Sequence, residues 1–318
     1  MFPRFLAVAM TFFIFGLNLN SVFAGVSYNA FVKFNPHVDL HYGVYAPEGE
    51  TKGDILFLHG FGDNYENHGP LFKEWNQAGF RVISFDFPSH GKTTNTFLGD
   101  LNCMGFEDLN AMAVKVLGLT LEDSDRPLLL AGWSTGGLLA VRMVQAFSAS
   151  LEERSPQGLI LFAPGVSVKP CVGNAICQIT NDTLTHNTAL QKRAITPEFP
   201  AMKVKFAAKL LFNAMLSWDQ PLPAIPVLTF VAGEDDRYVQ SNKIKEWVKK
   251  QNKNTNVIGI QCPRSKHELD NEPAFYGGEE VRSLSVAFAK LLLNPSENQE
   301  KLMSFASEVS QKGICTKF

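Results

Sequence analysis

Six short, nearly unbroken apolar runs set the strongest limit on how this chain can fold. They are Asp54–His59, Phe80–Phe85, Pro127–Trp133, Gly158–Ala163, Pro226–Ala232 and Asn256–Gln261. Each has strand length and no polar alternation, the pattern of a strand covered on both faces. Between them lie segments of helical periodicity or helix-forming composition at Glu66–Ala78, Phe106–Leu119, Thr135–Ala149, Gln240–Lys250 and Glu279–Leu293, with a further helix expected over Ser296–Gln311. Strands that alternate with helices form an open, mostly parallel α/β sheet with helices on both faces. A hairpin of Tyr28–Phe34 and Val38–Tyr45 precedes the alternation.

The rhythm breaks once. Gly165–Leu222 contains no convincing sheet strand, and a structureless loop of that length does not suit a compact domain. It reads as an inserted cap carrying a helix from about Pro200 to Trp218. On that helix Met202, Phe206 and Leu210 share one stripe, flanked by Val204, Ala208, Leu211 and Met215. Lys203, Lys205, Lys209 and Asn213 supply its polar positions. The apolar face can pack on the core, roof an acyl-binding groove, or do both. It would also allow transient contact with a membrane surface.

The first 24 residues read as a leader. They hold one base, Arg4, and no acid, and Phe5–Leu17 is almost wholly apolar but too short to span a bilayer. The stretch ends in Ser21-Val22-Phe23-Ala24, with small residues where a signal peptidase cuts. Cleavage after Ala24 would export the chain to the periplasm or beyond. The expected organisation is therefore a signal peptide at 1–24, core at 25–164, cap at 165–222 and core again at 223–318. Export would place Cys103, Cys171, Cys177, Cys262 and Cys315 in an oxidising space. Cys171 with Cys177 and Cys262 with Cys315 are candidate pairs, although spacing alone does not fix connectivity. A net charge of −2 on 318 residues supplies no field for gripping nucleic acid. No zinc-type ligand spacing is present, and neither a metal nor a cofactor is expected.

The chemistry centres on Gly132-Trp133-Ser134-Thr135-Gly136-Gly137, between the apolar run Leu128–Ala131 and a helical segment. A Gly-x-Ser-x-Gly turn between strand and helix holds the serine in a strained conformation above the sheet. Its hydroxyl needs a base, and the base needs an orienting carboxylate, in chain order Ser, acid, His. Only His186 and His267 follow Ser134, and His186 falls in the cap, which leaves His267. The acid belongs after Pro226–Ala232, where Gly233-Glu234-Asp235-Asp236-Arg237 offers three carboxylates. Asp236 is favoured, with Asp235 in reserve. The backbone N–H groups of Thr135 and Phe61, the latter in His59-Gly60-Phe61-Gly62-Asp63, are the candidate oxyanion donors. His59 and Asp63 read as structural.

In order along the chain, HGFGD, FDFPSHGKT, GWSTGG, GEDDRYV and SKHEL resemble the α/β-hydrolase superfamily over Val38–Leu293. The similarity is greatest to the branch of monoacylglycerol lipases, lysophospholipases and serine-aminopeptidase-like hydrolases. That resemblance implies the triad Ser134, Asp236 and His267, with Phe61 and Thr135 at the oxyanion positions and His90 in a structural turn. Thr183–Asn187 resembles a stretch of the lysophospholipase relatives, and Trp133 stands where the family often has His. The implied activity is cleavage of a small ester or lipid, of monoacylglycerol or lysophospholipid type. Two alternatives are a peptidase using the same triad, with Asp182 or Glu198 holding a substrate ammonium, and a catalytically inactive binding protein.

Overall fold

The computed structural model describes residues 27–120, 126–151, 154–169, 179–192, 202–233, 236–252, 256–293, 304–305 and 313–318. The leader expected at 1–24, the Cys171–Cys177 pair, Asp235 and nearly all of the helix expected at 296–311 lie outside the described residues. All six apolar runs are strands: β3 (Gly53–Leu58), β4 (Phe80–Phe85), β6 (Leu128–Trp133), β7 (Gly158–Phe162), β8 (Val227–Val231) and β9 (Val257–Gln261). The hairpin forms β1 (Tyr28–Asn35) and β2 (Val38–Tyr45). Two short strands escape the sequence pattern, β5 (Thr94–Asn95) on β2 and β10 (Thr316–Lys317) on β9. Two residues are too few to show a period.

The strand order is β1-β2-β4-β3-β6-β7-β8-β9-β10. Pairing is parallel from β4 across to β9 and antiparallel at both ends. Every residue of β3, β4 and β6 is buried, which explains their lack of alternation. The chain runs from β3 to β4 on one side and returns to β6 on the other. The order therefore reverses between β3 and β6, and the carboxyl ends of these strands open a crevice where α/β sheets bind ligands.

The helices are α1 (Gly69–Gln77), α2 (Phe106–Thr120), α3 (Thr135–Ala146), α4 (Val204–Asp219), α5 (Ser241–Gln251) and α6 (Gly278–Leu291), besides single turns. The sheet is covered on both faces, with α1 against α6 and α2 against α3. Among the described residues no helix is long and apolar enough to cross a membrane.

The helix expected between β7 and β8 is α4, and its inner stripe is more polar than the sequence pattern suggested. Phe206, Leu210 and Ala214 are buried as an apolar stripe requires, but so are Asn213 and Ser217. Asn213, expected to be a solvated position, faces α3, where Arg142 Nε donates to its Oδ1 at 3.3 Å. Gln145 Nε2, Trp247 Nε1 and Gln251 Nε2 all donate to Ser217 O, satisfying a carbonyl in the last turn of α4. The apolar side chains that lose the competition for burial stay accessible: Val204, Leu211, Phe212 and Met215 are exposed, Leu211 within the cleft lining.

Candidate active site

The turn after β6 is sterically determined. A Cβ on Gly136 would sit 2.0 Å from Leu58 O, so only glycine lets α3 approach the end of β3 this closely. Ser134 holds φ 54°, ψ −117°, one of three described non-glycine residues at positive φ. Such strain persists where the surroundings over-determine it, here at the tip of the turn. From that tip Ser134 Oγ lies 2.9 Å from His267 Nε2.

His267 follows β9, and its Nδ1 lies 2.8 Å from Asp236 Oδ2. The other oxygen, Asp236 Oδ1, accepts the backbone N–H of Tyr238 at 2.8 Å and of Val239 at 3.1 Å. The carboxylate is thus fully oriented, and both it and His267 are buried. Asp236 N–H bonds back to Gly233 O at 3.1 Å, a turn that carries its carboxylate to the histidine. His186 is in a different place. Its Nδ1 meets Glu272 Oε1 at 3.0 Å and its ring stacks on Tyr276. The Thr183–Asn187 stretch thereby ties the β7–β8 segment to the His267 loop, where Glu268 N–H also donates to Leu184 O at 2.9 Å.

Phe61 and Thr135 both border the cleft above Ser134. The Phe61 loop is pinned by two histidines. Gly62 N–H donates to His90 Nε2 at 2.9 Å, and Phe87 N–H donates to His59 Nε2 at 2.9 Å. Each of these rings is a neutral acceptor at that nitrogen, and burial pushes His59 down to about 3 and His90 to about 4. His59 and His90 therefore shape the loop rather than react.

Trp133, which in the sequence marks only a departure from the family's usual His, packs against the His267 loop. Its Nε1–H donates to His267 O at 2.8 Å, and its ring lies 5.1 Å from the His267 ring. Only the tertiary contact shows this, since 134 residues separate donor and acceptor. Asp63, His68 and Glu268 bring donor atoms within 4.8 Å of one another. Both ring nitrogens of His68 are already engaged by carboxylates, at 2.8 Å from Asp63 and 2.7 Å from Asp270, so the ring offers no lone pair to an ion.

The cleft is mainly apolar, with Phe61, Val168, Ile179, Leu184, Met202 and Leu210 among its walls. Lys169 and Arg237 are the charged side chains of its described lining. Asp182 is exposed and does not line it.

The sequence profile of the alpha/beta hydrolase family matches residues 55–271, more than half of the chain. The chain belongs to the alpha/beta hydrolase family. A Mycoplasma pneumoniae protein named as an esterase/lipase is 29% identical over 111 residues, 35% of this hydrolase and 37% of its own length. Phospholipase YtpA of Bacillus subtilis is 26% identical over 126 residues, 38% and 44% of the respective chains. The hydrolase thus aligns with less than half the length of these curated relatives. Solved structures share the fold. A Paleococcus ferrophilus monoacylglycerol lipase superposes with TM-score 0.64 at 19% identity, covering 80% of this chain and 98% of its own. A soluble variant of Saccharomyces cerevisiae monoglyceride lipase, bound to a substrate analog, also gives 0.64, at 14% identity over 84% and 94%.

Proposed function

We propose that this alpha/beta hydrolase cleaves carboxylic esters, of monoacylglycerol or lysophospholipid type, through Ser134, His267 and Asp236. The observation that carries the reading is the unbroken chain from Ser134 Oγ through both nitrogens of His267 to Asp236, at the foot of an apolar cleft. Ser134 Oγ attacks the ester carbonyl carbon as its proton passes to His267 Nε2. The carbonyl oxygen takes up the electron pair and is held by the N–H groups of Phe61 and Thr135. When the C–O bond to the alcohol breaks, His267 returns the proton to the leaving oxygen. Water, deprotonated by the same histidine, then releases the acid from the acyl-enzyme.

The cleft supports an acyl substrate because its walls are aliphatic and aromatic and could enclose a hydrocarbon chain. The esterase/lipase and phospholipase names of the curated relatives support the same class. A peptidase would need an acid to hold the substrate ammonium. Asp182 lies outside the cleft lining and Glu198 outside the described residues, while Lys169 and Arg237 would repel that cation. An inactive binding protein would have no need of a serine held in a strained turn against an oriented histidine.

We also read residues 165–222 as a cap over the site. Its α4 leaves Leu211, Phe212 and Met215 exposed, Leu211 in the cleft lining, a surface suited to transient contact with a lipid interface. Export with cleavage after Ala24 completes the reading, supported by the bond between Cys262 and Cys315. N-terminal sequencing of protein recovered outside the cytoplasm tests that part, and an intact Met1 would exclude it.

The deciding experiment pairs fluorophosphonate labelling with a substrate panel. Ser134 should label, Ser134→Ala should not, and monoacylglycerol or lysophosphatidylcholine should turn over faster than aminoacyl amides. Equal labelling of Ser134→Ala would overturn the mechanism, and faster amide turnover would overturn the substrate class.

A further inference from the structure

Beneath the catalytic groups lies a second buried chain of ionisable side chains that takes no part in the reaction. His68 ends the single turn Tyr65–His68 and is wholly buried. Its Nε2 lies 2.8 Å from Asp63 Oδ2 and its Nδ1 2.7 Å from Asp270 Oδ2. Asp63 is two residues after Phe61, and Asp270 three residues after His267. The three side chains therefore join the loop carrying an oxyanion donor to the loop carrying the base, across 202 residues of sequence.

Trp133 fills the space between these loops. Its ring lies 5.6 Å from the His68 ring and 5.1 Å from the His267 ring, and a Cβ on Gly60 would meet it at 2.5 Å. A shift of either loop would thus move the distance between the oxyanion position and His267 Nε2. Reaction rates are steeply sensitive to displacements on this scale.

We propose that Asp63, His68 and Asp270 form a buried strut that sets the oxyanion loop against the His267 loop, which makes His68 a positioning residue for the ester cleavage. The proposal rests on Ser134 and His267 being the reacting pair. The strut works only with a proton on each ring nitrogen, because both partners are carboxylates with acceptor oxygens. Burial opposes that charge, but Asp270 and then Asp63 outweigh it and hold His68 at about 10.

The other charged groups around the ring are consistent with a cation there. Glu268 lies in the same cluster, with Asn271 Nδ2 donating to its Oε1 at 2.5 Å. Arg282 of α6 is turned to the Asp270 backbone carbonyl and to Glu74 of α1. His59, at the end of β3, is neutral, and the charge on His68 is one of the influences that keep it so.

Two measurements test the strut. Nitrogen-15 NMR of the ring-labelled wild-type protein should show His68 with two hydrogen-bonded N–H protons from about pH 6 to 9. A neutral ring at about pH 8 would overturn the proposal. In ester hydrolysis, His68→Gln should lower kcat by about 10- to 100-fold, somewhat less than the loss of an oxyanion donor, with KM changed by less than about threefold. The alkaline fall in wild-type kcat near pH 10 should vanish in the variant, while the acid limb stays. Wild-type kcat in His68→Gln, or an unchanged alkaline limb, would refute the positioning role. Should His68→Gln fail to fold, Asp270→Ala removes the acceptor at Nδ1 and must show the same kcat loss. Absence of Ser134 labelling in the wild type would instead sink the ester reading, and the ring-proton measurement would still report on the strut.

Discussion

Removing the bond between Cys262 and Cys315 should lower stability by a calculable amount while leaving the chemistry in place. The cross-link closes 53 residues of sequence, including the His267 loop and α6. Chain-entropy arithmetic for that length gives about 14 cal/mol/K, or about 4 kcal/mol at room temperature. With an unfolding entropy of about 2.1 cal/mol/K per residue over roughly 290 residues, the melting temperature should fall by about 7 °C. The local ladder offers little replacement. β10 pairs with β9 at only two positions, Thr316 with Gln261 and Lys317 with Ile260, and Phe318 packs over Gly259. The His267 loop has other supports: Gly233 N–H to Ser265 O, Ser265 Oγ to Tyr276 O, and Trp133 Nε1–H to His267 O. Calorimetry of Cys262→Ala/Cys315→Ala against the oxidised wild type measures the shift, and a reductant should lower the wild type alone. Esterase activity at room temperature should stay within about twofold, since those supports remain. A melting temperature within about 1 °C of wild type would refute the stability argument, and lost activity in a folded variant would refute the independence of the loop.

Asp236→Asn should reduce kcat by about 10⁴-fold with the fold intact. Its carbonyl must stay where Oδ1 accepts two backbone N–H groups, so its NH₂ meets His267 Nδ1 and forces the wrong tautomer; steady-state kinetics that show only a small loss would contradict this. Acid should destabilise the protein, because His59 at about 3 and His90 at about 4 stay neutral when folded but titrate from 6.5 when unfolded. The unfolded state then binds more protons below pH 6.5, and stability should fall by up to about 1.4 kcal/mol per pH unit for each histidine; urea titrations between about pH 6.5 and 4.5 that show no slope would rule this out. His68 adds no acid slope there, since it is protonated in both states well below 6.5; its stabilisation is lost as pH rises through about 10. Phe212→Glu/Met215→Glu should weaken binding to phosphatidylcholine vesicles by at least about tenfold without slowing hydrolysis of a short soluble ester. Unchanged vesicle sedimentation would exclude α4 as the contact face.

The amino-acid sequence by itself determined whatever depends on neighbours along the chain. Unbroken apolar runs mark β3, β4 and β6 because a strand buried on both faces tolerates no polar alternation. Gly132 and Gly136 mark the turn because a Cβ there would collide with backbone, and that turn makes Ser134 legible. Chain order then left His267. Tertiary structure decided everything that depends on partners far apart in sequence. It set Asp236 on His267, joined Cys262 to Cys315 by placing β10 beside β9, and buried Asn213 against Arg142. It also brought Trp133 to His267 and His68 between Asp63 and Asp270. Hydrogen bonds are short and directional, so a single side chain carries no trace of its distant partner until the sheet has brought the two within reach.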